Sequence, residues 1–174
     1  MAIPERITPN TLSDYLDVMS KAVFQAGMRW ALIESKWPAF RRAFFNFDPT
    51  KVGALTARDI DRLSQDASLI RSRAKIEGTV LNARRMVDLE RQFNGFGNYL
   101  HSFADYQQLA ADLKKQFKFM GDLNAYYFLF RIGEPVPDFE QWVETIPGDH
   151  PRMREMVDLA RTQDLNQPPH TSQA

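Results

Sequence analysis

Apolar positions along this chain recur at intervals of three and four residues, with no sustained strict alternation with polar ones, so the pattern predicts an all-α fold. Leu12, Leu16, Met19, Val23 and Ala26 form the first such stripe and set a helix that begins near Leu12 and passes or bends at Gly27. A glycine there costs roughly 1 kcal/mol relative to alanine, which marks a bend or a close backbone approach. A short stretch from Met28 to Ser35 continues the pattern. Pro38 suits the first turn of a third helix, Pro38 to Phe44, and Asp48-Pro49 then breaks the chain. Thr56 with Asp59 three residues on has the form of a capping box and starts a helix near Ala57. Ile76, Val80, Ala83 and Val87 make one face of a longer helix, about Arg73 to Phe93, followed by a loop from Asn94 to Asn98. Helices at about Asp105 to Leu113, Phe139 to Glu144 and Pro151 to Arg161 complete the set. The tail from Gln163, with Pro168-Pro169, is expected to be disordered, leaving residues 1–162 as one helical domain.

One stretch breaks the amphipathic pattern. Asp122 to Ile132 (DLNAYYFLFRI) is apolar on nearly every side, so its body must be buried. A basic turn, Lys114 to Gly121 (KKQFKFMG), leads into it. Open amides at a helix start, flanked by Lys114, Lys115 and Lys118 and preceded by Gly121, suit a phosphate. The plain alternative is a solvated helix–helix corner, with Asp122 capping the amides itself. A second basic cluster, Arg71, Arg73 and Lys75, stands at the start of the long helix, where cations oppose the helix dipole. Two such clusters point to an anionic partner.

Composition makes that charge local. With 22 Lys+Arg against 22 Asp+Glu, the net charge is +0, so no global field draws the chain to DNA or to a membrane. Arg71, Arg73, Lys75, Arg84 and Arg85 face only Glu77 between positions 71 and 85, whereas every charge between Glu134 and Asp149 is acidic. A hydrophobic content of 44% with 13 Phe and 3 Trp supports a substantial core. The absence of cysteine removes disulfides and thiolate ligands, and the opening residues MAIPERITPN carry no apolar signal core, so a cytoplasmic protein without a membrane span is expected.

Candidate chemistry is sparse. His101, His150 and His170 are scattered without metal-ligand spacing, and there is no Gly-x-Ser-x-Gly, phosphate-binding loop or cysteine nucleophile. Glu34, one turn after Trp30 and on the same helix face, is the better placed carboxylate; Asp138 follows the apolar helix. Each has a plain reading as a solvated residue or a helix cap. Trp30 and Phe24 are either core aromatics or the walls of a cavity.

The blocks Gln25-Ala26-Gly27-x-x-Trp30, Phe47-Asp48-Pro49-x-Lys51-Val52, Asp66-Ala67 with Ile70-Arg71-x-Arg73-x-Lys75-Ile76, Asn82-Ala83-Arg84 and Phe117-Lys118-Phe119-x-Gly121 stand in one order over roughly positions 16 to 135. Together they resemble DNA-3-methyladenine glycosylase I, a helix-hairpin-helix family of all-α DNA glycosylases. The resemblance implies base-excision repair: a hairpin ending at Gly121 grips double-stranded DNA, and a pocket receives a flipped alkylated purine whose glycosidic bond is hydrolysed. Trp30, the Gln25-Ala26-Gly27 bend and the hairpin ending at Gly121 are what the resemblance carries over; Trp30 and Gln25 with Phe24 and Tyr126 make the expected base-binding set, and Lys114, Lys115, Lys118, Gly121, Arg71, Arg73 and Lys75 the expected DNA-binding set. Where the family carries a base-recognising glutamate, this chain has Ala22, and where the family has serine before its tryptophan, this chain has Arg29. The family's N-terminal Cys, tyrosines and His are represented only by a short lead, Pro9-Asn10-Thr11, and its zinc ligands have no counterparts, so no metal and no cofactor are expected. Glu34 or Asp138 then takes the place of the missing acid in a monomeric enzyme. Two alternatives keep the fold: a lesion-binding protein without catalysis, and a protein that no longer binds DNA.

Overall fold

The computed structural model describes residues 6–148 together with 150, 154, 158, 161 and 162. Nine α-helices follow in order between residues 12 and 143: α1 Leu12–Gln25, α2 Trp30–Ala43, α3 Pro49–Gly53, α4 Ala57–Ser64, α5 Arg73–Phe93, α6 Phe96–Leu100, α7 Tyr106–Gln116, α8 Asp122–Arg131 and α9 Phe139–Val143. No strand occurs among the described residues, and the all-α expectation holds. None of these helices is long and apolar enough to cross a membrane. The expected last helix, Pro151 to Arg161, and the tail from Gln163 lie outside the described residues, except that residues 154, 158, 161 and 162 are helical.

Two helices organise the core. The 21-residue α5 packs on α1, α3, α4 and α6, and α8 packs on α1 and α7. Leu16, Met19, Phe24, Phe40, Ile76, Met86 and Phe128 meet in the shared interior. As its sequence requires, α8 is buried from Ala125 to Arg131. A smaller cluster, Tyr126, Phe130, Phe139 and Val143, closes the far side of α8 under α9.

Three expectations about elements give way to packing or capping. The stretches Met28 to Ser35 and Pro38 to Phe44 are one helix, α2, with Pro38 inside it. Pro38 is exposed and removes one backbone donor, but Ile33, Trp37, Phe40 and Phe44 form a continuous buried stripe that holds both halves to the core. Asp48-Pro49 starts a helix rather than ending one: the Asp48 carboxylate accepts the Thr50 amide at 3.0 Å, and Pro49 occupies the first helical position. Just before it, Phe45, Asn46 and Phe47 run through a left-handed turn with φ of 53°, 52° and 56°. The loop expected from Asn94 to Asn98 becomes α6 at Phe96, because the Glu90 carboxylate accepts the Phe96 amide and the Phe96 ring seats against Tyr15, Tyr99 and Phe117. The bend at Gly27 is real, with φ at +74° between α1 and α2.

Candidate nucleic-acid interface and base site

The hairpin between α7 and α8 is clamped to α5 from both sides of its backbone. The Lys118 amide donates to Asn82 Oδ1 at 2.7 Å, and Asn82 Nδ2 donates to the Lys118 carbonyl at 3.1 Å. Asn82 is buried on α5, so its side chain acts as a two-point rung between helix and turn. One turn earlier, Gly78 lets the turn come close: a Cβ there would stand 2.8 Å from the Phe119 ring. Phe119 itself has φ +60° and remains 43% exposed at the tip. Phe117 and Met120 are buried on either side of it, which fixes the turn without its charged residues.

What this leaves outside is basic. Lys114, Lys115 and Lys118 are exposed, and with Arg85 and Asp88 they line a groove of about 530 Å³ between α5 and the hairpin. Gly121, not Asp122, is the N-cap of α8, and no side chain caps it; Asp122 is the first helical residue. The amides of the first turn of α8 thus lack a side-chain cap beside three lysines, the arrangement a phosphate oxygen requires.

The second basic cluster is used differently. Arg73 pairs with Asp61, and Arg71 is exposed. Lys75 turns back, donating from Nζ to the Ala26 carbonyl at 2.9 Å, and burial lowers the pKa of its ammonium. It therefore ties α5 to the bend at Gly27. Lys118 and Phe119 on Gly78, Lys75 on Ala26, then Gly27 and Trp30 form one continuous edge from the hairpin to the start of α2.

At the end of that edge lies a compact mixed site. Trp30, half-buried, meets the Tyr127 ring edge-on at 5.1 Å, and Ala22 belongs to the same small cluster. Glu34, one turn along α2 from Trp30, accepts from Lys21 Nζ at 2.6 Å; its side chain is 31% exposed while that of Lys21 is 9% exposed. Lys21 also stands 5.7 Å from the centre of the Trp37 ring, and the Arg131 guanidinium lies over Tyr127 at 5.3 Å. Burial lowers the Lys21 pKa, with the Glu34 hydrogen bond opposing and the Arg131 charge adding to the fall. Burial likewise raises the Tyr127 phenol well above the usual tyrosine range. Gln25, at the end of α1, has both amide atoms buried without a hydrogen-bond partner, an arrangement that calls for a polar group from outside the chain.

Of the residues expected at a base site, Trp30, Gln25 and Glu34 therefore stand at the α1–α2 bend. Phe24 is fully buried in the main core, 4.6 Å from Phe40. Tyr126 points to the other side of α8, stacked on Trp142 at 4.2 Å with its hydroxyl donating to the Pro137 carbonyl. Asp138 caps α9 and pairs with Arg161 at 3.0 Å, near Tyr126 and not near Trp30. Tyr127, Lys21 and Arg131 were not expected at the site. For the two cations the signal was a charge inside an apolar run: Lys21 sits between Met19 and Val23, and Arg131 ends the apolar helix α8. Among the described residues no group of three His, Asp or Glu side chains is arranged to hold a metal ion.

Residues 13–119 match the family described as methyladenine glycosylase. DNA-3-methyladenine glycosylase 1 of Escherichia coli (strain K12) is 33% identical over 130 residues, covering 63% of this chain and 70% of that protein. DNA-3-methyladenine glycosylase of Haemophilus influenzae is 31% identical over the same coverage. The fold superposes on that of 3-methyladenine DNA glycosylase I from Staphylococcus aureus with a TM-score of 0.66 and 27% identity, over 75% of this chain and 80% of that one. A variant of 3-methyladenine DNA glycosylase I solved in complex with 3-methyladenine gives a TM-score of 0.65 and 26% identity, over 75% and 81%.

Proposed function

The chain belongs to the methyladenine glycosylase family, and we propose from that premise that its hairpin, bend and α2 start bind alkylated duplex DNA and release 3-methyladenine-type bases. The function is that of a 3-methyladenine DNA glycosylase I-like base-excision-repair enzyme, an N-glycosylase. The reading extends to residues 1–162 as one unit, acting as a monomer in the cytoplasm.

The observation that carries the residue roles is the continuous edge from the open α8 amides through Gly78 and Lys75 to Trp30 and Glu34. In this assignment Lys114, Lys115 and Lys118, the Gly121 turn, and Arg71 from the start of α5 hold the phosphates on either side of the lesion. Arg73 and Lys75 set the shape of that edge through Asp61 and Ala26. The extruded base stacks on Trp30, and Gln25 supplies amide groups to its edge. An N3-methylated adenine is already cationic and leaves as a neutral base, so little acid catalysis is needed. The C1′–N bond breaks with its electron pair going to the base, water adds its oxygen at C1′, and the water's proton passes to solvent. Glu34 favours the cationic base and the positive sugar that forms as it departs.

Two results are expected. Incubation with alkylated genomic DNA, read by mass spectrometry of the free bases, releases 3-methyladenine above an empty-vector preparation. Binding without release would instead describe lesion recognition alone. Reversal of charge at Lys115 and Lys118 weakens duplex binding and lowers the slope of log affinity against log salt by about one for each phosphate that is no longer neutralised. An unchanged slope in both variants would remove the hairpin from the interface.

A further inference from the structure

We propose that Lys21 is a built-in counter-ion of Glu34, and that it sets the selectivity of the Trp30–Glu34 site by competing with a cationic base for the Glu34 carboxylate. The inference rests on the assignment of Glu34 to the base site above.

Lysine is a poor choice for the buried face of an apolar helix, because its charged form must be compensated there. Here the compensation is a single short contact, Lys21 Nζ to Glu34 Oε1 at 2.6 Å, with the lysine enclosed and the glutamate facing outward. The charged groups around Lys21 are Asp17 on its own helix, Glu34 on α2 and Arg131 on α8, and the Trp37 ring lies 5.7 Å away. Asp17 is already committed, accepting from Trp37 Nε1 at 3.0 Å and from Arg41 Nε at 2.8 Å. Arg131 lies across Tyr127, the ring that touches Trp30. Lys21 therefore already holds the Glu34 carboxylate at the place where a cationic base would need it. A cationic base gains from Glu34 only to the extent that Lys21 gives it up, by moving aside or by losing its proton. The next residue, Ala22, is the position that the family resemblance assigns to a glutamate. The acid moves to α2 and gains a lysine partner, so carboxylate and competitor arrive together. A neutral base meets no such competition, because it draws nothing from the Glu34 charge. Lys21 is a positioning residue in this account and need not touch the base.

The test compares two probes of similar size, the cation 3,9-dimethyladeninium and the neutral 9-methyladenine, titrated into the full chain and its variants by calorimetry or by Trp30 fluorescence. Lys21→Met keeps the stem and removes the charge. It should tighten the cation by roughly tenfold, equivalent to about 1.4 kcal/mol, and leave the neutral probe unchanged. Adding Glu34→Gln to Lys21→Met should cancel the gain, and Lys21→Arg, which keeps a cation beside Glu34, should behave as the unmutated chain. Equal gains for both probes would reduce Lys21 to a steric plug and overturn the proposal. So would no gain in either lysine variant with folding intact by circular dichroism, or no binding of either probe at all. Release of 3-methyladenine from alkylated duplex by the unmutated chain is measured alongside. Its absence with a cation-specific gain in Lys21→Met rejects the glycosylase assignment and keeps the Lys21 inference; its presence without that gain does the reverse.

Discussion

Glu34→Gln should slow single-turnover release of 3-methyladenine from alkylated duplex by about a hundredfold, while Asp138→Asn leaves the rate unchanged. Both residues qualify as the displaced acid on sequence grounds, and the structure separates them. Glu34 shares α2 with Trp30, stands beside Lys21, and its charge reaches Tyr127, whereas Asp138 caps α9 and pairs with Arg161 under the Tyr126 cluster. The amide keeps the size of Glu34 and a hydrogen bond to Lys21, so the helix is not expected to shift. It removes the negative charge and leaves the Lys21 ammonium beside a cationic base without that acid. The loss should therefore exceed that of a single neutral hydrogen bond, about 1 kcal/mol, and fall mainly on the chemical step. If both variants release the base at the unmutated rate, neither carboxylate serves the reaction and the assignment of Glu34 fails.

The helices were legible where capping and periodicity agreed. Thr56 with Asp59 and the stripe Ile76, Val80 and Ala83 placed α4 and α5 directly from the sequence. Local signals failed where tertiary packing outweighed them. Pro38 reads as a helix start, yet the stripe from Ile33 to Phe44 carries α2 across it, because burying Trp37 and Phe40 outweighs one lost backbone bond. The site was half legible for a related reason. Trp30, Gln25 and Glu34 lie within ten residues and keep their spacing in three dimensions. Tyr126 and Tyr127 are adjacent in sequence but point to opposite sides of α8, so a one-residue choice of phase decides which ring meets Trp30. No local pattern pairs Lys21 with Glu34 or Asn82 with Lys118, which join segments 13 and 36 residues apart.

That last pairing yields the second large effect. Asn82→Ala should lower affinity for a duplex carrying an abasic-site analogue by about tenfold or more, and reduce thermal stability by about 2 kcal/mol, or roughly 4–8 °C in Tm at this chain length. Asn82 is buried and commits its amide to both backbone groups of Lys118. Alanine deletes the two bonds and opens a gap between α5 and the turn. The turn then loses its polar tie to α5, while its apolar anchors, Phe117 and Met120, fix its position but not its twist. The Lys118 charge and the open α8 amides are one structural unit, because the Asn124 side chain donates to the Phe119 carbonyl at 2.7 Å and couples turn to helix. Freedom at Lys118 therefore spreads to the phosphate-binding amides, and ordering them again on DNA consumes binding energy. A core truncation on α4, Leu63→Ala, should destabilise the fold by a similar or larger amount without changing DNA affinity well below its own Tm. Equal affinity losses in the two variants would mean that binding follows overall stability, whereas a loss confined to Asn82→Ala places the grip in the rung between α5 and the hairpin.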